Sequence, residues 1–108
     1  MKLYLSGPIT GIPDYKEKFS QAAEYLCHLG DEVEVIDPST FAGEYGWNWA
    51  DWMLYDLRAL RGADALVSLP GSMESRGARV EVEFAKGMGI PVLDLFDVRS
   101  WVANGGRW

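Results

Sequence analysis

The chain has 108 residues, enough for one compact domain with its own core, and 48% of them are hydrophobic against 24% charged. Its net charge of -6 argues against a nucleic-acid backbone or an anionic membrane as the main partner, while leaving room for a small phosphorylated ligand held by a few local donors. No apolar run approaches the roughly 20 residues that cross a bilayer, and the single Cys27 has no partner for an internal disulfide, so the chain reads as cytoplasmic.

Residues 2–6 run into Gly7-Pro8 and predict a short buried strand rather than a signal peptide. Tyr15, Phe19, Ala22, Ala23, Leu26 and Leu29 recur at helical spacing and predict a helix over 15–29. Asp14 is the expected N-cap, Glu17 its capping-box partner, and Gly30 the residue past the end. Residues 33–36 predict a second strand stopped by Asp37-Pro38. A polar loop to about Gly46 precedes a helix over 47–61, closed by Gly62. A third strand is expected over 64–69, a helix over 76–88 and a fourth strand over 90–95, with a short helical turn in the tail. Trp101 and Trp108 in that tail are expected to cap the sheet edge or meet a second subunit.

This β-α-β-α-β-α-β order with short connections predicts an α/β, Rossmann- or flavodoxin-like three-layer sandwich, one domain over 1–108. Right-handed crossovers favour a parallel sheet of four to five strands in order 2-1-3-4. The order reverses between strands one and three, and ligands in such sheets bind beyond the carboxyl ends at that switch point. The bordering loops are Ser6-Gly7-Pro8-Ile9-Thr10-Gly11 and Pro70 to Ser75.

Two carboxylates stand on unexpected faces. At 100° per residue, Ala78, Val82, Phe84, Ala85 and Met88 form the apolar arc of the third helix, and Glu81 falls inside it. Glu83 falls opposite, four residues after Arg79, where an ordinary i,i+4 pair is expected. On the second helix, Asp56 falls among Trp49, Trp52, Met53, Leu57, Ala59 and Leu60. A buried ion pair, or an acid reaching over the sheet edge, accounts for one such residue. Two beside one cleft point to a site, because an unpaired buried carboxylate costs several kcal/mol or goes neutral.

Paired carboxylates suit glycosidic chemistry, one attacking an anomeric carbon while the other handles protons. The only histidine, His28, closes the first helix, and no His/Cys cluster has metal-ligand spacing, so neither metal nor organic cofactor is expected. Ser75 and Gly77 at the start of the third helix offer an anion site, faced by Ser6, Gly7 and the Ile9-Thr10-Gly11 turn. Trp47, Trp49 and Trp52 either pack or form a stacking wall for a base, with Trp47 the best placed for stacking.

Three stretches, YLSGPITG (4–11), DLRALRGADALVSLP (56–70) and SRGARVEVEFAKGMG (75–89), carry a resemblance to the nucleoside 2-deoxyribosyltransferase-like superfamily. The similarity extends to its 2′-deoxynucleoside 5′-monophosphate N-glycosidases. The resemblance implies Glu81 as the nucleophile at C1′, Asp56 as the second acid and Tyr4 beside the nucleophile. It further implies Ser75 and Gly77 as 5′-phosphate binders, a nucleoside or nucleotide as partner, and a homo-oligomer, dimeric or larger. Thr10 stands where the better-known N-glycosidases have arginine, Glu83 where many relatives have glycine, and the helix projection turns Arg76 and Arg79 to solvent. The expectation is an N-glycosidase or deoxyribosyltransferase. The alternatives are a non-catalytic nucleotide-binding or sensor module, or a structural dimer domain.

Overall fold

A computed structural model describes residues 1–107; Trp108 and the expectation attached to it lie outside the described residues. Four parallel strands, β1 (Lys2–Ser6), β2 (Glu34–Ile36), β3 (Ala65–Ser68) and β4 (Val92–Asp94), form one sheet in the order β2-β1-β3-β4. The helices α1 (Tyr15–Cys27), α2 (Trp49–Leu60), α3 (Arg76–Gly87) and α4 (Val98–Ala103) complete the chain. The architecture is the three-layer α/β sandwich expected from the sequence, with four strands.

Strand alternation divides the core into two layers. Leu3 and Leu5 of β1 join Ala65 and Val67 of β3, packing with Phe19, Ala22 and Leu26 of α1 and Val98 and Trp101 of α4. Tyr4 and Leu66 point the other way, against Leu60 of α2 and Val82 and Ala85 of α3. Trp101 is thus a core residue rather than a cap on the sheet edge. In register, Tyr4 pairs with Leu66 and Ser6 with Ser68. Period two puts Ser6 on the same face as Tyr4, the one α2 and α3 cover.

Several helix ends differ from expectation. Asp14 makes no side-chain cap on α1; its carboxylate lies 3.8 Å from Lys18 Nζ instead, so the Asp14/Glu17 capping box does not form. The helix stops at Cys27, and His28 closes it in a right-handed conformation. Gly30 therefore does not serve as a left-handed C′ residue. Gly89 fills that role on α3, at φ +75°, with Gly89 N–H donating to Lys86 O and Ile90 N–H to Ala85 O, a Schellman pair. The turn carries Met88 out to solvent, 54% exposed, away from its expected arc. Glu83 is solvated as expected, but its carboxylate lies 4.0 Å from Lys86 rather than pairing with Arg79.

The start of α2 matters most for the site. Asn48, not residue 47, caps it: Asn48 Oδ1 accepts from Asp51 N–H and Asp51 Oδ2 accepts from Asn48 N–H, each at 2.9 Å. Trp47 falls just outside the helix and folds back on Trp52, ring centroids 5.1 Å apart, as a hydrophobic staple.

Candidate functional site

At the carboxyl ends of β1 and β3, where the strand order reverses, a cavity of about 320 Å³ opens. Three connections build its rim. After β1 come Gly7, Ile9 and Thr10; after β2 come Pro38, Ser39 and Phe41; after β3 come Ser75 and the start of α3. Asp37 fixes the second segment, its Oδ1 accepting from Ser39 N–H at 2.9 Å and Ser39 Oγ at 2.6 Å. Ser72 fixes the third, its hydroxyl at 2.5 Å from Leu69 O and 3.1 Å from Ser6 O. Trp49, Trp52 and Met53 of α2 form the facing wall. Gly77 lets that wall close on α3, since a Cβ there would lie 3.3 Å from Met53 Sδ.

Glu81 lies at the floor, 5% exposed. Its Oε2 accepts from Tyr4 Oη at 2.5 Å and its Oε1 from Ser6 Oγ at 2.7 Å. Both donors are fully buried and come from one face of β1, two residues apart. Burial drives the Glu81 carboxyl from 4.5 up to about 7; the Tyr4 and Ser6 hydrogen bonds pull it back, and the Asp56 charge pushes it further up. Burial first, and then the Glu81 charge, hold the Tyr4 phenol far above its ordinary range.

Asp56 lines the same cavity from α2. Its Oδ1 is enclosed and has no hydrogen-bond partner, and burial raises the carboxyl from 3.8 to about 6. Glu81 and Asp56 are the only charged residues on the cavity wall among the described residues. Two acids held close to neutrality in one pocket can share a proton, one acting as a carboxylate and the other as an acid.

The remaining expected residues divide. Gly7, Ile9, Thr10, Ser75 and Gly77 line the cavity; Ser75 Oγ also caps α3, accepting from Ala78 N–H at 3.4 Å. Gly11 does not line it: at φ +78° it serves the turn, and its α-carbon faces open space. Ser6 does not line it either, because its hydroxyl turns inward to Glu81. Trp47 stands behind the wall, packed on Trp52 and on Tyr55 at 5.3 Å, so the tryptophans that line the cavity are Trp49 and Trp52. Arg76 is exposed, as the helix projection expects, and lies over the Trp49 ring at 3.9 Å, a cation–π contact. Sequence reasoning missed Ser39, Phe41 and Ser72, loop residues with no periodicity to betray them.

Comparison with known proteins agrees with this fold. A family described as "Domain of unknown function (DUF4406)" matches residues 1–94. A protein of Syntrophotalea carbinolica named "Putative 2'-deoxynucleoside 5'-phosphate N-hydrolase 1" is 30% identical over 100 residues, 91% of this chain and 70% of that protein. Among solved structures, a conserved protein from Enterococcus faecalis V583 superposes with a TM-score of 0.72 at 22% identity, over 87% of this chain and 62% of that one. A 2-deoxyribosyltransferase from Bacillus psychrosaccharolyticus superposes with a TM-score of 0.65 at 24% identity, over 87% of this chain and 71% of that one. The two superpositions carry the fold, and the family match and the closer sequence relative carry the kinship. The chain belongs to the DUF4406 family, within the nucleoside 2-deoxyribosyltransferase-like superfamily.

Proposed function

We propose that the protein cleaves the N-glycosidic bond of a deoxynucleoside or its 5′-monophosphate, with Glu81 as nucleophile. The observation that carries this reading is the buried Glu81 carboxylate, gripped by Tyr4 and Ser6 at the floor of a cavity that also holds Asp56. A binding pocket alone has no need of one buried acid with a second, half-buried acid on the same wall. The similarity to a protein named as a 2′-deoxynucleoside 5′-phosphate N-hydrolase supports the substrate class.

A Glu81 oxygen forms a bond to C1′ as the bond from C1′ to the base nitrogen breaks. The electron pair leaves with the base, which takes a proton from Asp56. Water then attacks C1′, Asp56 takes a proton from it, and Glu81 is released as a carboxylate; an acceptor base in place of water gives transfer. Tyr4 and Ser6 hold Glu81 but stay behind it, since neither reaches the cavity wall. The base stacks on Trp49 and Trp52. Thr10, Ser75 and the N–H groups opening α3 hold a 5′-phosphate, with Arg76, seated on the Trp49 ring, as the cation that could reach it.

Incubation with deoxy- and ribonucleosides and their 5′-monophosphates, with free base read by chromatography, tests this directly. Release that disappears in Glu81→Gln is expected. No release from any of them, even with an acceptor base present, would overturn the enzyme and leave a nucleotide-binding module with the same fold.

A further inference from the structure

We propose that Ser6 is a positioning residue for the reacting carboxylate: its hydroxyl fixes the Oε1 side of Glu81 while Tyr4 fixes Oε2. The inference rests on Glu81 as the reacting group. Ser6 was expected at the ligand, as one more donor in a loop of glycines and hydroxyls. The structure instead ends β1 at Ser6, places it on the Tyr4 face, and buries it fully.

Two fixed donors on two oxygens define the plane of a carboxylate. One donor leaves it free to turn about its last torsion, which is broad for a glutamate. Both donors sit on one strand, so their separation is set by the sheet and not by a flexible loop. The Ser6 backbone adds a second tie. Its carbonyl accepts from Leu69 N–H at 2.8 Å and from Ser72 Oγ at 3.1 Å. One residue thus holds the Glu81 carboxylate through its side chain and the loop that carries Ser75 through its main chain. A hydroxyl donating to a carboxylate also favours the ionised form that must attack.

The experiment follows the Glu81 side-chain carboxyl carbon by NMR through a pH titration, its signal assigned by its loss in Glu81→Gln. Wild type, Ser6→Ala and Ser6→Cys are compared. Cysteine keeps the volume but donates weakly, so it separates hydrogen bonding from packing. Both substitutions are expected to move the midpoint upward. Base release below the midpoint should fall about tenfold through kcat, the worth of one charge-assisted hydrogen bond, with KM little changed. An unchanged midpoint in Ser6→Ala, or a Ser6→Cys protein that titrates and turns over like wild type, overturns the proposal. A midpoint that moves in a protein releasing no base from any substrate refutes the glycosidase reading while upholding the hold of Ser6 on Glu81.

Discussion

Replacing Glu81 by glutamine removes a charge from the floor of the cavity and tests how strongly the fold resists it. The carboxyl is raised from 4.5 to about 7, chiefly by burial. A folded value above the unfolded one means the native state binds the extra proton. Its favourable contribution is therefore complete below about 4.5 and is lost as pH rises through about 7. A rise from 4.5 to about 7 corresponds to about 3 kcal/mol at high pH. Across the practical range from pH 5 to pH 8 the same linkage gives a loss of about 2–3 kcal/mol. Glutamine cannot titrate, so the stability of wild type minus that of Glu81→Gln should fall by that amount from pH 5 to pH 8. Other titrating groups largely cancel in the difference; Asp56, raised by the same cause, also loses a neighbouring charge in the variant. Urea unfolding followed by tryptophan fluorescence at four or five pH values measures it, the five tryptophans giving ample signal. A difference flat to within about 1 kcal/mol would refute the claim that burial dominates Glu81, since that figure is the scale of a single hydrogen bond.

Two further outcomes follow from the same geometry. On the proposed mechanism the pH dependence of base release should be bell-shaped with its top between about 6 and 7, since attack would need Glu81 ionised and departure Asp56 protonated; a rate that keeps rising to pH 9 would remove Asp56 from the acid role. Gly43→Ala should destabilise the fold by about 1–3 kcal/mol and weaken nucleotide binding, since the new Cβ would lie 2.5 Å from the Trp52 ring and 2.9 Å from Trp47; urea unfolding that matches wild type would show that the loop yields without disturbing the tryptophan wall.

The sheet order and the two displaced acids were legible because each rests on a strong periodic signal. Glu81 stands among Ala78, Val82 and Ala85 on a helix whose phase those residues fix, and the structure buries all four. Trp47 was misjudged because a helix started at 47 has the wrong first turn. Once Asn48 is the cap, Trp47 becomes the residue before it and is taken up by the staple on Trp52. Ser6 was named but given the wrong partner: its place next to Gly7-Pro8 suggested a loop donor, while strand alternation from Tyr4 pointed inward to the third helix. Ser72 acts through backbone carbonyls in a loop, and such bonds leave no mark on composition or spacing.

The difference between the two acids bears on how the site is set in motion. In the empty cavity burial raises both carboxyls, Glu81 to about 7 and Asp56 to about 6, so the pair holds a proton near neutral pH. One hydrogen bond, worth about 1 kcal/mol, shifts where that proton rests. A base nitrogen that accepts from Asp56 supplies such a bond and stabilises the neutral acid, while the enclosed Oδ1 of Asp56, without a donor, does nothing to favour its carboxylate. The displaced charge then falls on Glu81, the acid that Ser6 and Tyr4 are placed to receive it on. Substrate binding would thus arm its own nucleophile. The consequence is measurable: a bond that favours neutral Asp56 holds the first proton longer, so the acid limb of kcat, which reports the occupied site, should lie at higher pH than the acid limb of kcat/KM, which reports the empty one. Coincident limbs would mean that the proton is not moved by binding.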